Sequence, residues 1–173
     1  HRRIGATTVF VTHDQVEAMT LADRILILNK GRIEQSDTPA AIYHQPASVF
    51  VAKFIGAPPM NVLPVTGDGQ MLRLPDGQAV MPFSQTGTWL LGVRPEDIAL
   101  SADGALTARL RYREDLGSHS IIAADLAGET LRIATPFGGN VDAHAPLRFS
   151  LPKTRLHLFD AVTGQALPDP IAL

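Results

Sequence analysis

The run Thr7-Thr8-Val9-Phe10-Val11-Thr12-His13-Asp14-Gln15-Val16-Glu17 changes character at its histidine. Residues 7–11 are β-branched and apolar without alternation, the pattern of a strand buried on both faces in a parallel sheet covered by helices. Asp14 and Glu17 stand three apart, a capping-box spacing that starts a helix running to about Ala22. A buried strand that feeds a helix through a histidine predicts an α/β neighbourhood, and open α/β sheets bind ligands at that edge. His13 is the candidate for chemistry, because a neutral imidazole there can donate one hydrogen bond to a phosphate or a water. The same residue could do no more than help cap the helix at Asp14, and the residues alone leave both readings open.

Moving outward, residues 24–28 form a second apolar strand, Asn29-Lys30-Gly31 a turn with a glycine available for positive φ, and residues 32–35 the returning strand of a hairpin. Thr38-Pro39 supplies an N-cap followed by proline at the first helical position, so residues 40–44 read as a short helix, and Pro46 opens another in the same way. In that second helix Val49, Phe50, Lys53 and Phe54 fall at helical spacing, with Gly56 as the stop and an aromatic face left to dock. Ala57-Pro58-Pro59 cannot continue a helix, and from Met60 onward short strands alternate with Gly, Asp and Pro. The expected strands are 61–65, 71–74, 89–93, 106–112, 120–125, 130–134, 147–151 and 156–159, a spacing that suits a small barrel or a pair of barrels. The expected fold class is mostly β with an α/β N-terminal part, residues 1–56, followed by a β-barrel domain over 57–173.

Composition narrows the functional classes. The chain has 173 residues, 45% hydrophobic and 18% charged, enough to fill a core. Its formal net charge of -2 provides no field to attract nucleic acid. Cysteine is absent, which excludes disulfides, thiolate metal sites and a cysteine nucleophile and fits a reducing compartment such as the cytoplasm. No apolar run approaches the roughly 20 residues of a membrane span. The first residues, His1-Arg2-Arg3-Ile4-Gly5, lack an initiator Met and a signal-peptide core, so a fragment with an upstream start is expected.

Residues 8–22, followed by Asp23-Arg24-Ile25-Leu26-Ile27-Leu28-Asn29-Lys30-Gly31-Arg32-Ile33-Glu34-Gln35, resemble the final segment of an ABC-transporter ATPase. The resemblance is strongest to the carbohydrate-import subgroup, of the maltose and sn-glycerol-3-phosphate type, through T-H-D-Q-x-E-A-M, Thr38-Pro39, Phe54-Ile55-Gly56 and Pro59-Met60-Asn61. It implies that residues 1–56 are the C-terminal remnant of the nucleotide-binding domain. It also implies that His13 is the switch histidine, which reaches the γ-phosphate of ATP and helps hold the attacking water and the closed dimer. In the second half, Leu91-Gly92-Val93-Arg94-Pro95-Glu96-Asp97-Ile98, Glu114-Asp115-Leu116-Gly117 and Arg155-Leu156-His157-Leu158-Phe159-Asp160 resemble the regulatory extension of the same family, a TOBE-type domain of OB-like barrels.

The resemblance implies an ATPase coupled to solute import, with ATP and Mg²⁺ as cofactors of the intact protein. The implied partners are a second copy in a homodimer, transmembrane permease subunits and a regulatory protein on the β-domain, and the implied location is peripheral on the cytoplasmic face of the bacterial inner membrane. Solute choice would lie with the permease and the external binding protein. The family's phosphate loop, glutamine loop, signature and acidic Mg²⁺ pair lie upstream of its histidine, and no G-x-x-x-x-G-K-[ST] occurs here. This chain alone is therefore expected neither to bind ATP well nor to hydrolyse it. Where the family has Gly before Thr-Pro this chain has Asp37, which would hold a left-handed conformation there with small strain. Residues 138–146 fit the family poorly, which blurs the register of the last barrel.

Other chemistry finds less support. His1, His13, His44, His119, His144 and His157 lack metal-ligand spacing, so no metal site is expected. Ser118 and Ser120 flank His119 without a nucleophile elbow, and the adjacent Glu114 and Asp115 point to opposite faces of a strand. Arg94-Pro95-Glu96 reads either as a solvated turn or as an interface. The competing function is a free-standing OB-like module for an oxyanion or sugar, but the β-half offers scattered cations and a single lysine beyond residue 57, Lys153. Single-strand nucleic-acid binding would need more aromatic platforms than Trp89 and Tyr112.

Overall fold

The computed structural model describes residues 6–137 and 145–167. Helix α1 (Gln15–Leu21) leads into an antiparallel hairpin of β1 (Ile25–Asn29) and β2 (Arg32–Asp37), then α2 (Pro39–His44) and α3 (Val49–Phe54). Lys30 and Gly31 both have positive φ, 47° and 79°, the conformation that a two-residue hairpin turn requires. In β1 the pleat alternates: Ile25 and Ile27 are buried whereas Leu26 and Leu28 are exposed. Ile25 and Ile27 join Ile42, Val51 and Ile55 in a small core on which Ala18, Met19 and Phe50 rest.

Thr38 caps α2 with Pro39 at its first turn, while α3 is capped by Ser48 rather than opened by Pro46. The Ser48 hydroxyl accepts the Val51 N–H, a bond that proline at 46 has no side chain to make. Asp37 lies in the extended β2 and accepts the Thr38 N–H at 2.8 Å, so the left-handed strain expected of it is absent.

Residues 7–11 form no strand, and Val9, Phe10 and Val11 are 90%, 60% and 92% exposed. A parallel strand takes its hydrogen bonds from neighbours, and among the described residues no strand lies beside this one.

From Asn61 the chain builds two five-stranded antiparallel sheets. The first contains β3 (Asn61–Asp68), β4 (Met71–Arg73), β5 (Ala79–Pro82), β6 (Thr86–Val93) and β12 (His157–Asp160), in the order β12-β6-β3-β4-β5. The second contains β7 (Ala99–Leu100), β8 (Leu106–Asp115), β9 (His119–Leu126), β10 (Glu129–Pro136) and β11 (Leu147–Ser150), in the order β10-β9-β8-β11-β7. All eight expected strands are present, with two short additions, β5 and β7. The second sheet is thus inserted in sequence between β6 and its partner β12. Residues 138–144 of the poorly fitting stretch lie outside the described residues.

The sheets share one core: Leu63, Val65, Leu91 and Val93 of the first meet Leu106, Ile122, Leu131 and Phe149 of the second. Two side-chain amides mimic peptide groups where the sheets meet. Asn61 donates to Val93 O at 3.3 Å and Arg132 O at 2.8 Å and accepts the Arg132 N–H at 2.7 Å. Gln78 likewise donates to Thr107 O at 3.0 Å and accepts the Thr107 N–H at 2.7 Å. Such pairing satisfies strand groups that the ladder leaves open. A third apolar cluster, Ala52, Met60 and Phe159, packs α3 on the first sheet. The chain after β12 closes the contact, with Gly164 O accepting the Val49 N–H at 2.8 Å and Ala47 O the Ala166 N–H at 2.9 Å.

Candidate functional site

The entry to α1 is held by short-range polar bonds. Asp14 Oδ1 accepts the Glu17 N–H at 3.1 Å, whereas the Glu17 carboxylate accepts from the Thr12 hydroxyl at 2.7 Å instead of reaching back to Asp14. Thr12 Oγ1 takes the Asp14 N–H at 3.0 Å, completing the ring. The capping box is therefore half formed, with Thr12 serving in the place that Glu17 would fill. His13 stands between these capping residues, exposed, and no described residue makes a side-chain hydrogen bond to it. It is not packed in an interior, and it takes no part in the cap that Asp14 and Thr12 make without it.

Gln15, the first residue of α1, reaches across to the end of α3. Its Nε2 donates to Phe54 O at 2.6 Å, and its Oε1 accepts the Gly56 N–H at 2.9 Å. No residue of α1 is fully buried, so this clamp is a main tie between the helix and the rest of the fold.

Arg94, immediately after β6, approaches the same stretch from the β-sheet. It is 2% exposed; its Nη1 donates to Ile55 O and, at 3.3 Å, to Ala52 O, and its Nη2 donates to Tyr43 O at 2.8 Å. Its guanidinium carbon lies 4.0 Å from the Tyr43 ring centroid, a cation–π stack. Burial draws its pKa below the ordinary guanidinium value, partly offset by Tyr43, Glu96 and Asp97. An arginine remains protonated at neutral pH regardless. The solvated turn is not what Arg94-Pro95-Glu96 forms: Arg94 and Pro95 are buried within the chain, Arg94 against α2 and α3, and of the three only Glu96 is exposed. Gly56 makes the approach possible, because its φ is +114° and a Cβ there would fall 2.7 Å from Arg94 Nη1.

The Tyr43 hydroxyl donates to the Glu96 carboxylate. Burial first, then the bond to Glu96 and its charge, push the Tyr43 phenol up to about 12. Beyond this pair lies an open cleft of about 470 Å³ lined by Pro58, His119, Thr135 and Pro136. On the sheet side, burial, with Arg94 and His44 adding, pushes the His157 imidazole down to about 4. Glu114 and Asp115 act separately, and Asp115 accepts from Arg113 at 2.7 Å and from the Ser120 hydroxyl at 2.5 Å. The β-domain cations are dispersed in pairs, Arg73 with Asp68 and both Arg109 and Arg111 with Asp125, rather than gathered around one oxyanion. Among the described residues no three His, Asp or Glu side chains converge as metal ligands. Among the described residues no helix is long and apolar enough to cross a membrane.

The structure thus brings Gln15, Tyr43, Gly56 and Arg94 together, which sequence reading did not. Their signal was split among T-H-D-Q, A-I-Y-H, F-I-G and V-R-P-E, each an ordinary short stretch when taken alone.

Comparison with known proteins accounts for nearly the whole chain. Residues 91–159 match the TOBE domain model. An sn-glycerol-3-phosphate import ATP-binding protein of Agrobacterium fabrum is 42% identical over 175 residues, covering 96% of this chain and 47% of the relative. The corresponding protein of Jannaschia sp. is 43% identical over 170 residues, covering 96% of this chain and 48% of that one. A sulfoquinovosyl glycerol transport ATP-binding protein of Agrobacterium fabrum is 38% identical, with 96% and 50% covered. The chain spans about half the length of the curated relatives it matches. Over residues 91–159 it matches a TOBE domain, and over nearly its full length it is similar to the C-terminal part of proteins named as import ATP-binding proteins.

Proposed function

We propose that this chain is the C-terminal half of the ATP-hydrolysing subunit of an importer for carbohydrate or glycerol-phosphate-like solutes. Residues 1–56 are the end of its nucleotide-binding domain, and 57–173 form a β-domain for dimerisation and regulation. The observation that carries the reading is His13: it stands exposed at the start of α1, beside an apolar stretch whose Val9 and Val11 have no cover. A covering sheet from the rest of the subunit would bury residues 7–11 and leave His13 at the sheet edge.

When bound, ATP with Mg²⁺ supplies the phosphoanhydride and the charge neutralisation. His13 then contributes one directed hydrogen bond to a phosphate oxygen or the attacking water, a positioning task that suits a neutral imidazole on a capped helix end. The chain offers only this part of such a site, so alone it is inactive. The partners are a second copy, the permease subunits and a regulatory protein on the β-domain, with the assembly at the inner face of the bacterial inner membrane.

The test is His13→Ala in the full-length subunit assembled with its permease. Hydrolysis is expected to fall at least a hundredfold, about 3 kcal/mol of transition-state stabilisation, with ATP binding retained. Wild-type turnover in that variant would overturn the role given to His13.

A further inference from the structure

We propose that Gln15 is a positioning residue for His13 and that Arg94 is its anchor in the β-domain, so that the seating of the β-sheet sets the orientation of the imidazole. The inference rests on the reading of His13 given above and adds two residues to it. Three consecutive residues are gripped from two sides: Phe54 O and the Gly56 N–H by the Gln15 carboxamide, and Ile55 O by Arg94. Ile55 has an extended backbone, φ −102° and ψ 125°, so its carbonyl points away from that of Phe54. The two side chains can therefore hold one peptide stretch without competing for it.

Each half of the grip is specific. Gln15 uses both its donor and its acceptor, at 2.6 and 2.9 Å, as a peptide group would. Arg94 is buried, follows directly on β6 between β3 and β12, and binds the backbone of both α2, through Tyr43 O, and α3, through Ala52 O. With no fully buried residue of its own, α1 is held by partial packing and by this clamp. The route from sheet to imidazole is short: β6, Arg94, residues 54–56, Gln15, and His13 two residues before it. A shift of the sheet against α3 would displace the start of α1, and misplacement of a catalytic group by about 1 Å can cost on the order of a hundredfold in rate.

The test combines turnover with an exchange measurement. In the full-length subunit with its permease, Gln15→Leu is expected to lower kcat about tenfold or more with KM for ATP unchanged, because both polar ends of the Gln15 carboxamide are taken up by Phe54 and Gly56. Gln15→Glu keeps the acceptor for the Gly56 N–H but sets a carboxylate oxygen against Phe54 O, two acceptors facing each other, and should lose as much. Arg94→Lys should shift kcat the same way, and the double variant Gln15→Leu/Arg94→Lys should be no worse than the lower single, since both cut one link. In this chain, Gln15→Leu should speed hydrogen exchange of the Gly56 amide about tenfold or more while the melting temperature holds, a readout that needs neither ATP nor Arg94 variants. Wild-type kcat for Gln15→Leu while His13→Ala is inactive would overturn the positioning role alone. Unchanged Gly56 exchange would also overturn it, whereas full activity of His13→Ala would remove the functional reading beneath it.

Discussion

Gly56 is the residue where backbone and side-chain demands coincide. A side chain at φ +114° is strained, and a Cβ would meet Arg94 Nη1 at 2.7 Å. Gly56→Ala is expected to destabilise the chain by about 2 kcal/mol or more, read as a lowered urea midpoint with unchanged m-value. A midpoint equal to wild type would mean that Arg94 moves aside freely. His157 gives a pH signature. Its imidazole is pushed from 6.5 down to about 4, chiefly by burial, so the folded state resists protonation that the unfolded chain accepts. Its contribution is fully present above pH 6.5 and is lost as pH falls toward 4. His157→Gln should flatten that limb of a melting series, and a slope identical to wild type between pH 6.5 and 4 would exclude His157 as its source.

Among elements, the caps follow local rules and the sheet junctions do not. Asp14, Thr38 and Ser48 each accept the N–H three residues on, and a side chain that bonds its own next turn leaves its mark in sequence. Eight strands were legible from apolar content and turn residues. β5, Ala-Val-Met-Pro, ends in a residue that cannot donate to a ladder, and β7 is only two residues long, so neither announces itself. The bridging amides of Asn61 and Gln78 were silent because their partners, Arg132 and Thr107, lie 71 and 29 residues away. Asn61→Leu should cost about 2 kcal/mol, since it strands the Arg132 peptide in a part-buried setting. Chemical denaturation checks this, and a loss below about 0.5 kcal/mol would show that the backbone finds other partners.

At the scale of the molecule, one core spans both sheets, while a smaller one holds the hairpin and helices. The proposed dimerisation through the β-domain predicts that the chain self-associates. The exposed Val9, Phe10 and Val11 offer a competing route to association, which Val9→Lys/Val11→Lys would remove. Sedimentation of that variant is expected still to show a dimer at high protein concentration. A strict monomer would count against a strong interface on the β-domain.

The sequence by itself determined the helix starts, the hairpin turn, most of the strands and the histidine that carries the functional reading. Each depends on residues within one turn or one pleat of each other, where residue type and spacing act directly on the backbone. Only the tertiary structure decided that residues 7–11 stand uncovered, that both sheets share a core, and that Gln15 and Arg94 grip one peptide stretch. Those outcomes turn on contacts between segments some forty residues apart, and a carboxamide or guanidinium shows no local preference for one distant carbonyl until the fold brings them together.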